Sequence, residues 1–132
     1  MPITYAIDRT RRTVYAGASG VLTPRDLFTY QNEVWSAPEL RGYNECVDML
    51  AVTDIEGATD SNMKALAELS ARMDDPLAKS KFAIIAREDL HYGLARMYEA
   101  YRSMQPMNTR TLAIFRTRED ALRWLSGEST AS

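Results

Sequence analysis

Cysteine and histidine are scarce in this chain of 132 residues, which has one of each, Cys46 and His91. A structural zinc site built from these two residue types takes four ligands, so we expect no such metal site within the chain. A single cysteine also cannot close an internal disulfide. Cys46 lies in an apolar run, where a buried, unreactive thiol is expected, and the sequence therefore favours a reducing, cytoplasmic location.

Long apolar runs and a strong excess of charge are absent as well. No window is apolar enough to cross a membrane, and the alternating N-terminal residues are unlike a signal peptide. The net charge of −2 argues against a nucleic-acid partner, because such proteins usually carry a basic face. With 45% hydrophobic and 26% charged residues, the chain is expected to form one domain over 1–127, followed by a polar tail at 128–132.

The usual signatures of catalysis are missing too. The sequence contains no Gly-rich phosphate loop, no nucleophile elbow and no dinucleotide fingerprint. We therefore predict no catalytic residues, no cofactor and a protein that is not an enzyme. His91, with Asp89 or Asp54, could serve as a general base, and a place on the exposed flank of a helix is the other interpretation of this histidine.

The apolar residues that are present follow two periods. Alternation over 3–7 and 14–18 predicts a β-hairpin, and apolar runs at 45–52, 82–86 and 111–115 predict three more strands. Four helical patterns alternate with these later strands. The order predicts an α/β fold, with a five-stranded mixed sheet, an N-terminal β-hairpin followed by βα units, and four helices.

Polar residues before the helical patterns indicate where the helices begin. Thr23, followed by Pro24 and by Asp26 three residues later, predicts the start of the first helix. Either Thr59 or Asp60 could cap the second helix. Thr117 predicts the start of the last one in the same way as Thr23.

The third helix has the strongest pattern. Apolar residues recur at three- and four-residue steps and predict one buried stripe, made of Leu90, Leu94, Met97, Tyr98, Tyr101 and Met104. Met, Tyr and Arg are enriched at interfaces, so this helix is also a candidate for a partner contact or a pocket wall. Packing on the protein's own sheet explains the same composition. The candidate residues are His91, Tyr92, Arg96, Met97 and Tyr101.

A second candidate site lies in the loop between the third strand and the second helix, where open α/β sheets usually bind ligands. Asp54, Glu56 and Asp60 could hold a divalent ion there, although acidic residues also favour helix starts for electrostatic reasons alone. The residues that could contact a ligand or a partner in this loop are Thr53, Asp54, Glu56, Thr59 and Ser61.

Four parts of the chain form a pattern known from one superfamily. They are GVLT at 20–23, VD at 47–48 with VTD at 52–54, GLARMYE at 93–99, and EDALRWL at 119–125. With the order of strands and helices, they resemble the STAS superfamily, and especially its SpoIIAA-like (STAS/SEC14) branch of uncharacterised bacterial proteins. The resemblance implies a five-stranded mixed sheet used for protein interaction and regulation, and in some members for binding small anions, nucleotides or lipids.

The resemblance also implies a phosphorylation switch, from which this chain departs. Anti-sigma-factor antagonists of the superfamily are phosphorylated on a serine that follows an aspartate, just past the third strand. A phosphoryl group there adds about two negative charges at a helix start. Here Glu56 lies near the aspartate position and Gly57 follows it, so the acceptor serine is missing, and Thr59 and Ser61 are the nearby hydroxyls.

Two functional hypotheses follow from these patterns. The first is a non-catalytic regulatory or protein-interaction module, a homodimer with an unidentified protein partner, which the fold pattern and the absence of catalytic residues favour. The alternative is a protein that binds a small lipid or apolar anion. The pocket for such a ligand would be walled by Trp35, Met63, Tyr92, Met97 and Tyr101.

Overall fold

The computed structural model of the protein describes residues 2–127. The predicted α/β fold with five strands and four helices is confirmed, and the polar tail predicted at 128–132 lies outside the described range. The elements are β1 (Ile3–Asp8), β2 (Thr13–Leu22), α1 (Pro24–Trp35), a 3-10 helix (Pro38–Leu40), β3 (Asn44–Ile55), α2 (Asp60–Arg72), β4 (Lys81–Ile85), α3 (Asp89–Ser103), β5 (Thr111–Phe115) and α4 (Arg118–Leu125).

The strands lie in the sheet in their chain order, from β1 at one edge to β5 at the other. β1 pairs with β2 in antiparallel fashion, and every later pair is parallel. Each parallel connection crosses over through a helix, and α1, α2 and α3 all pack on the same face of the sheet. The shorter α4 covers part of the opposite face, where Ala121 packs against Cys46 and Ile85. The larger core therefore lies under the three crossover helices.

The helix starts follow the predicted capping residues. Thr23 forms a capping box with Asp26, because its hydroxyl accepts from the Asp26 amide while the Asp26 carboxylate accepts from the Thr23 amide. Thr59 rather than Asp60 caps α2, and Thr117 caps α4. These caps are local signals, which is why the sequence alone identifies Thr23 and Thr117 and limits the cap of α2 to two neighbouring residues.

β3 is longer at its carboxyl end than the predicted strand, which stops at residue 52. After an irregularity in register near Gly20, β2 resumes pairing, and Val21 and Leu22 lie opposite Asp54 and Ile55. The extra pairing keeps the backbone extended through residues that look like a loop in the sequence. Thr53 and Asp54 are therefore strand residues.

The buried face of α3 differs from the predicted stripe. Leu90 and Met104, which were expected to face inward, are 65% and 72% exposed, whereas His91 is only 4% exposed. The placement of His91 on an exposed flank is therefore wrong. The fully buried residues of this helix are His91, Ala95, Tyr98 and Arg102.

Polar contacts explain this rotation of α3. Arg102 is held by two hydrogen bonds from its guanidinium to Asp74, at 2.9 and 3.0 Å. One turn earlier, the hydroxyl of Tyr98 shares a hydrogen bond with Ser70 of α2. Polar residues that form hydrogen bonds with one another can lie in a core. A pattern that assigns only apolar residues to the inside therefore misplaces the buried face of α3.

Candidate functional site

The candidate site is an apolar cavity between the sheet and the three crossover helices. Its volume is about 90 Å³. Strands β1 to β4 form its floor, and α1, α2 and α3 form its roof. The side chains that line it are Ile3, Leu22, Pro24, Leu27, Tyr30, Gln31, Glu45, Val47, Met49, Ile55, Ala58, Met63, Leu66, Phe82, Ile84, Leu94, Ala95 and Tyr98.

One end of the cavity lies at the carboxyl ends of the parallel strands. Pro24 at the start of α1, Ile55 at the end of β3 and Ala58 before α2 line it there, and all three are half-buried. Gly57 has a positive φ of 72°, and a Cβ on this residue would lie 3.2 Å from Cδ of Pro24. The loop between β3 and α2 therefore packs closely on α1, and together they shape this end of the cavity.

A buried carboxylate lies at the wall of the cavity toward the amino ends of the strands. Oε2 of Glu45 accepts from the Tyr30 hydroxyl at 2.7 Å and from Nε1 of Trp35 at 3.1 Å. Its other oxygen accepts from Nη1 of Arg110 at 2.5 Å. Burial raises the pKa of Tyr30 well above its ordinary value, and the negative charge of Glu45 adds to the rise. Tyr30 therefore keeps its proton and serves as a donor to Glu45.

This carboxylate belongs to a larger buried ion network. The guanidinium of Arg110 also lies 3.6 Å from Asp74 and stacks over the Trp35 ring, with 4.1 Å from its central carbon to the ring centroid. Asp74 in turn binds Arg102. Two acids and two arginines thus compensate one another inside the protein, as buried charges must. The network joins α1, β3, α3 and the chain segments before β4 and β5.

The polar side chains of the lining already have partners inside the protein. Tyr30 binds Glu45, Gln31 donates from Nε2 to Sδ of Met73 at 3.2 Å, and Tyr98 shares its hydrogen bond with Ser70. The remaining lining side chains are apolar. What the cavity offers a ligand is therefore contact with hydrocarbon rather than hydrogen bonds.

The predicted loop residues surround the carboxyl end of the cavity without lining it. Thr53, Asp54, Glu56 and Ser61 are exposed, and Thr59 is occupied as the cap of α2. The backbone amide of Glu56 donates to the Leu22 carbonyl, which ties the loop to β2. Their neighbours Ile55 and Ala58 are the loop residues that reach the cavity.

The predicted helix residues point in several directions. His91 faces the core, and Tyr92 is half-buried with the guanidinium of Arg116 stacked 4.1 Å from its ring centroid. Arg96 is exposed and pairs with Glu99 on the same helix. Met97 and Tyr101 pack against the edge of the core. The structure does not bring these residues together into one surface.

The five residues predicted to wall a pocket are mostly misplaced. Met63 lines the cavity, whereas Trp35, Tyr92, Met97 and Tyr101 do not. Trp35 is buried in the ion network instead, where it contacts Glu45. A count of Met and aromatic residues indicated that an apolar pocket could form, but it could not say which side chains would surround it.

Cys46 and the acidic residues of the chain are the remaining candidates for a reactive thiol and a metal site. Burial raises the pKa of Cys46 to about 12, with the charge of Asp48 as a second cause, so its thiol stays protonated. Over residues 2–127, no group of three or more His, Cys, Asp or Glu side chains is placed to hold a metal ion. Asp54, Glu56 and Asp60 thus form no metal cluster.

The sequence pattern missed the ion network at the cavity wall. Glu45, Val47 and Met49 are every second residue of β3 and therefore lie on the same, inner face of the strand. This spacing was the available signal that the side chain of Glu45 points inward. Its partner Arg110 lies 65 residues away. No local pattern connects two charges at that separation.

Comparisons with known proteins address the fold. No protein-family model matches the chain, and no curated protein matches it. Among solved structures, the chain is similar to the crystal structure of an uncharacterized protein of the DUF3478 family, with a SpoIIAA-like fold, from Shewanella loihica PV-4. The two chains are 18% identical, the match covers 93% of each, and the TM-score is 0.59.

This likeness establishes the class of the fold. The chain has a SpoIIAA-like fold, as the resemblance of its sequence implied, and shares it with the Shewanella protein over almost its full length. Within the described part of the chain, no helix has the length and apolar character needed to span a membrane.

Proposed function

We propose that this protein is a non-catalytic module of the cytoplasm that binds the hydrocarbon part of a small ligand in its interior cavity. The observation that carries the proposal is the cavity of about 90 Å³, whose polar lining groups are already paired within the protein. A ligand gains there by burying apolar surface, at roughly 25 cal/mol per Å².

The size of the cavity limits what can enter it. An engineered apolar cavity of about 150 Å³ stays dry and binds benzene or xenon, so a space of about 90 Å³ suits a smaller group. A short alkyl segment or the end of an acyl chain fits this description. The polar part of such a ligand would stay outside, since the hydroxyls of Tyr30 and Tyr98 and the carboxylate of Glu45 are already paired within the protein.

The position of the cavity supports the same function. Its half-buried residues Pro24, Ile55 and Ala58 lie at the carboxyl ends of the strands, where open α/β sheets usually receive ligands. The exposed loop residues Asp54 and Glu56 lie beside this end and are available to a polar ligand group.

Xenon tests the proposal without knowledge of the natural ligand. Crystals pressurised with xenon are expected to show a xenon atom among Val47, Phe82 and Ala95. Ala95→Leu should remove this peak by filling the space, and Ala100→Leu, an exposed substitution on the same helix, should leave it in place. A wild-type crystal with no xenon in the cavity would overturn the proposal.

A protein-interaction module is the second candidate function. The SpoIIAA-like fold and several exposed large apolar side chains, among them Tyr5, Val21 and Leu90, favour it. In this function the protein would act as a homodimer with a further protein partner. Equilibrium sedimentation measures the first part directly, and a strictly monomeric protein would contradict it.

A further inference from the structure

The edge strand β1 lacks the features that usually prevent sheets from joining. Ile3 to Ile7 contain no charged residue and no proline, and the register irregularities of the sheet lie between β2 and β3 instead. Tyr5 in the middle of the strand is 48% exposed. Natural edge strands are commonly protected by charges, prolines or bulges, so an unprotected edge invites an added strand.

The hydrogen bonds between β1 and β2 show which backbone groups of β1 face outward. The Ser19 amide donates to the Pro2 carbonyl at 2.9 Å, which makes Pro2 and Ser19 a hydrogen-bonded pair. Such pairs alternate along an antiparallel ladder. The backbone groups of Ile3, Tyr5 and Ile7 therefore point away from β2, toward the free edge of the sheet.

A groove of about 450 Å³ runs between this edge and α1. Arg25 and Glu33, near opposite ends of α1, both line it and are both exposed. Within residues 2–127, neither side chain takes part in an ion pair or a hydrogen bond. A third charged residue of the lining, Asp26, is held by Thr23 in the capping box. Arg25 and Glu33 are therefore the two charged side chains of the groove that have no partner within residues 2–127, and they lie about two helical turns apart.

We propose that a second copy of this chain binds to the β1 edge, in an antiparallel pairing with a two-fold axis at Tyr5. Ile3 then lies opposite Ile7 of the partner subunit, and the two five-stranded sheets form one continuous sheet. The three outward-facing residues of each strand pair with those of the other, and each pair exchanges two hydrogen bonds. The partner is identified by this self-complementarity, as a two-fold interface requires.

The charges on α1 fit the same two-fold arrangement. α1 follows β2 and runs back along β1, so antiparallel pairing of the two β1 strands also makes the two α1 helices antiparallel. Arg25 then faces Glu33 of the partner subunit, and this pair occurs twice.

Charge reversal provides the test, with sedimentation equilibrium at low salt as the measurement. Arg25→Glu and Glu33→Arg are each expected to weaken the dimer on the order of tenfold, because two exposed ion pairs become two like-charge contacts. The double variant R25E/E33R should restore wild-type dimerisation. A merely structural role of either residue in the monomer would not produce this restoration.

A second variant addresses the backbone pairing. Tyr5→Pro removes an amide that β2 does not use, so the monomer should keep its fold while the dimer is lost, and Tyr5→Phe should leave the dimer intact. A monomeric wild-type protein, open-ended assemblies, or a dimer indifferent to the charge reversals would each overturn the proposal.

This inference deepens the interaction-module function and is independent of the ligand proposal. The charge-reversal variants should still bind xenon in the cavity. A wild-type protein that binds xenon but does not dimerise would therefore contradict the dimer alone.

Discussion

Filling the cavity from within should stabilise the protein. Ala95→Leu adds three carbon atoms at a residue of α3 that lines the space. A cavity of about 90 Å³ lowers the free energy of unfolding by about 2 kcal/mol, at roughly 24 cal/mol per Å³. The added carbons gain up to about 2.4 kcal/mol by burial, less about 0.5–1 kcal/mol of side-chain entropy. We therefore expect a net gain of about 1–2 kcal/mol.

Urea denaturation of the ligand-free protein measures this gain. Ala100→Leu is the matched control, because the same substitution lies on the exposed face of the same helix and should change stability by less than about 0.5 kcal/mol. Differences in helix propensity cancel between the two variants. A loss of about 1–3 kcal/mol in Ala95→Leu is what overpacking of a solid core produces, and it would refute the reasoning.

Three further predictions concern the network, the loop and the thiol. Glu45→Ala leaves Arg110 buried without its acid and should lower the free energy of unfolding, measured by urea denaturation, by about 3–5 kcal/mol. The double variant Glu45→Ala with Arg110→Met should lose less. Equal losses in the two variants would contradict the ion pair. Gly57→Ala should lower the free energy of unfolding by about 1 kcal/mol or more, because the φ of this residue is +72°. Gly93→Ala, on the exposed side of α3, should raise it. Changes of the same sign in the two variants would contradict this account. Burial raises the pKa of Cys46 from 9.0 to about 12, so this thiol should react with a thiol reagent at pH 8 only when the protein unfolds. The buried, protonated thiol contributes fully to stability below pH 9. This contribution should decline as the pH rises toward 12, because the thiol then ionises more readily in the unfolded chain.

The sequence predicted those parts of the fold that depend on neighbours along the chain. The hairpin follows from the alternation around Ile3 and Val14, and α1 begins at Thr23 because its cap, proline and Asp26 are adjacent. The buried run before α3 was also placed correctly as β4. In each case the deciding contacts lie within a few residues, where a sequence pattern is informative.

The errors occurred where distant contacts decide the structure. β3 continues to Ile55 because β2 pairs with it, and α3 turns Arg102 inward because Asp74 lies across from it and binds its guanidinium. These partners are separated from the residues they hold by whole elements. Periodicity treats a polar residue as exposed and has no means of finding its partner.

The sequence left an interaction surface and an apolar pocket open as alternatives, and of the five residues named for the pocket only Met63 lines the cavity. The sequence indicated an apolar pocket and a loop at the carboxyl ends of the strands, and the structure has a cavity that the loop reaches through Ile55 and Ala58. Most of the named wall residues were wrong. A cavity is the space left when side chains from seven elements pack, and no single segment encodes it.

The buried pair of Glu45 and Arg110 also bears on how the chain is made. Synthesis adds roughly 5–20 residues per second, so the 65 residues between them take about 3–13 s to appear. During that interval Glu45, Tyr30 and Trp35 have been synthesised, but the cation that neutralises the carboxylate has not. A nascent chain that ends before residue 110 therefore lacks the arginine that pairs with Glu45, and we expect this buried pair to form only when nearly the whole domain has been translated.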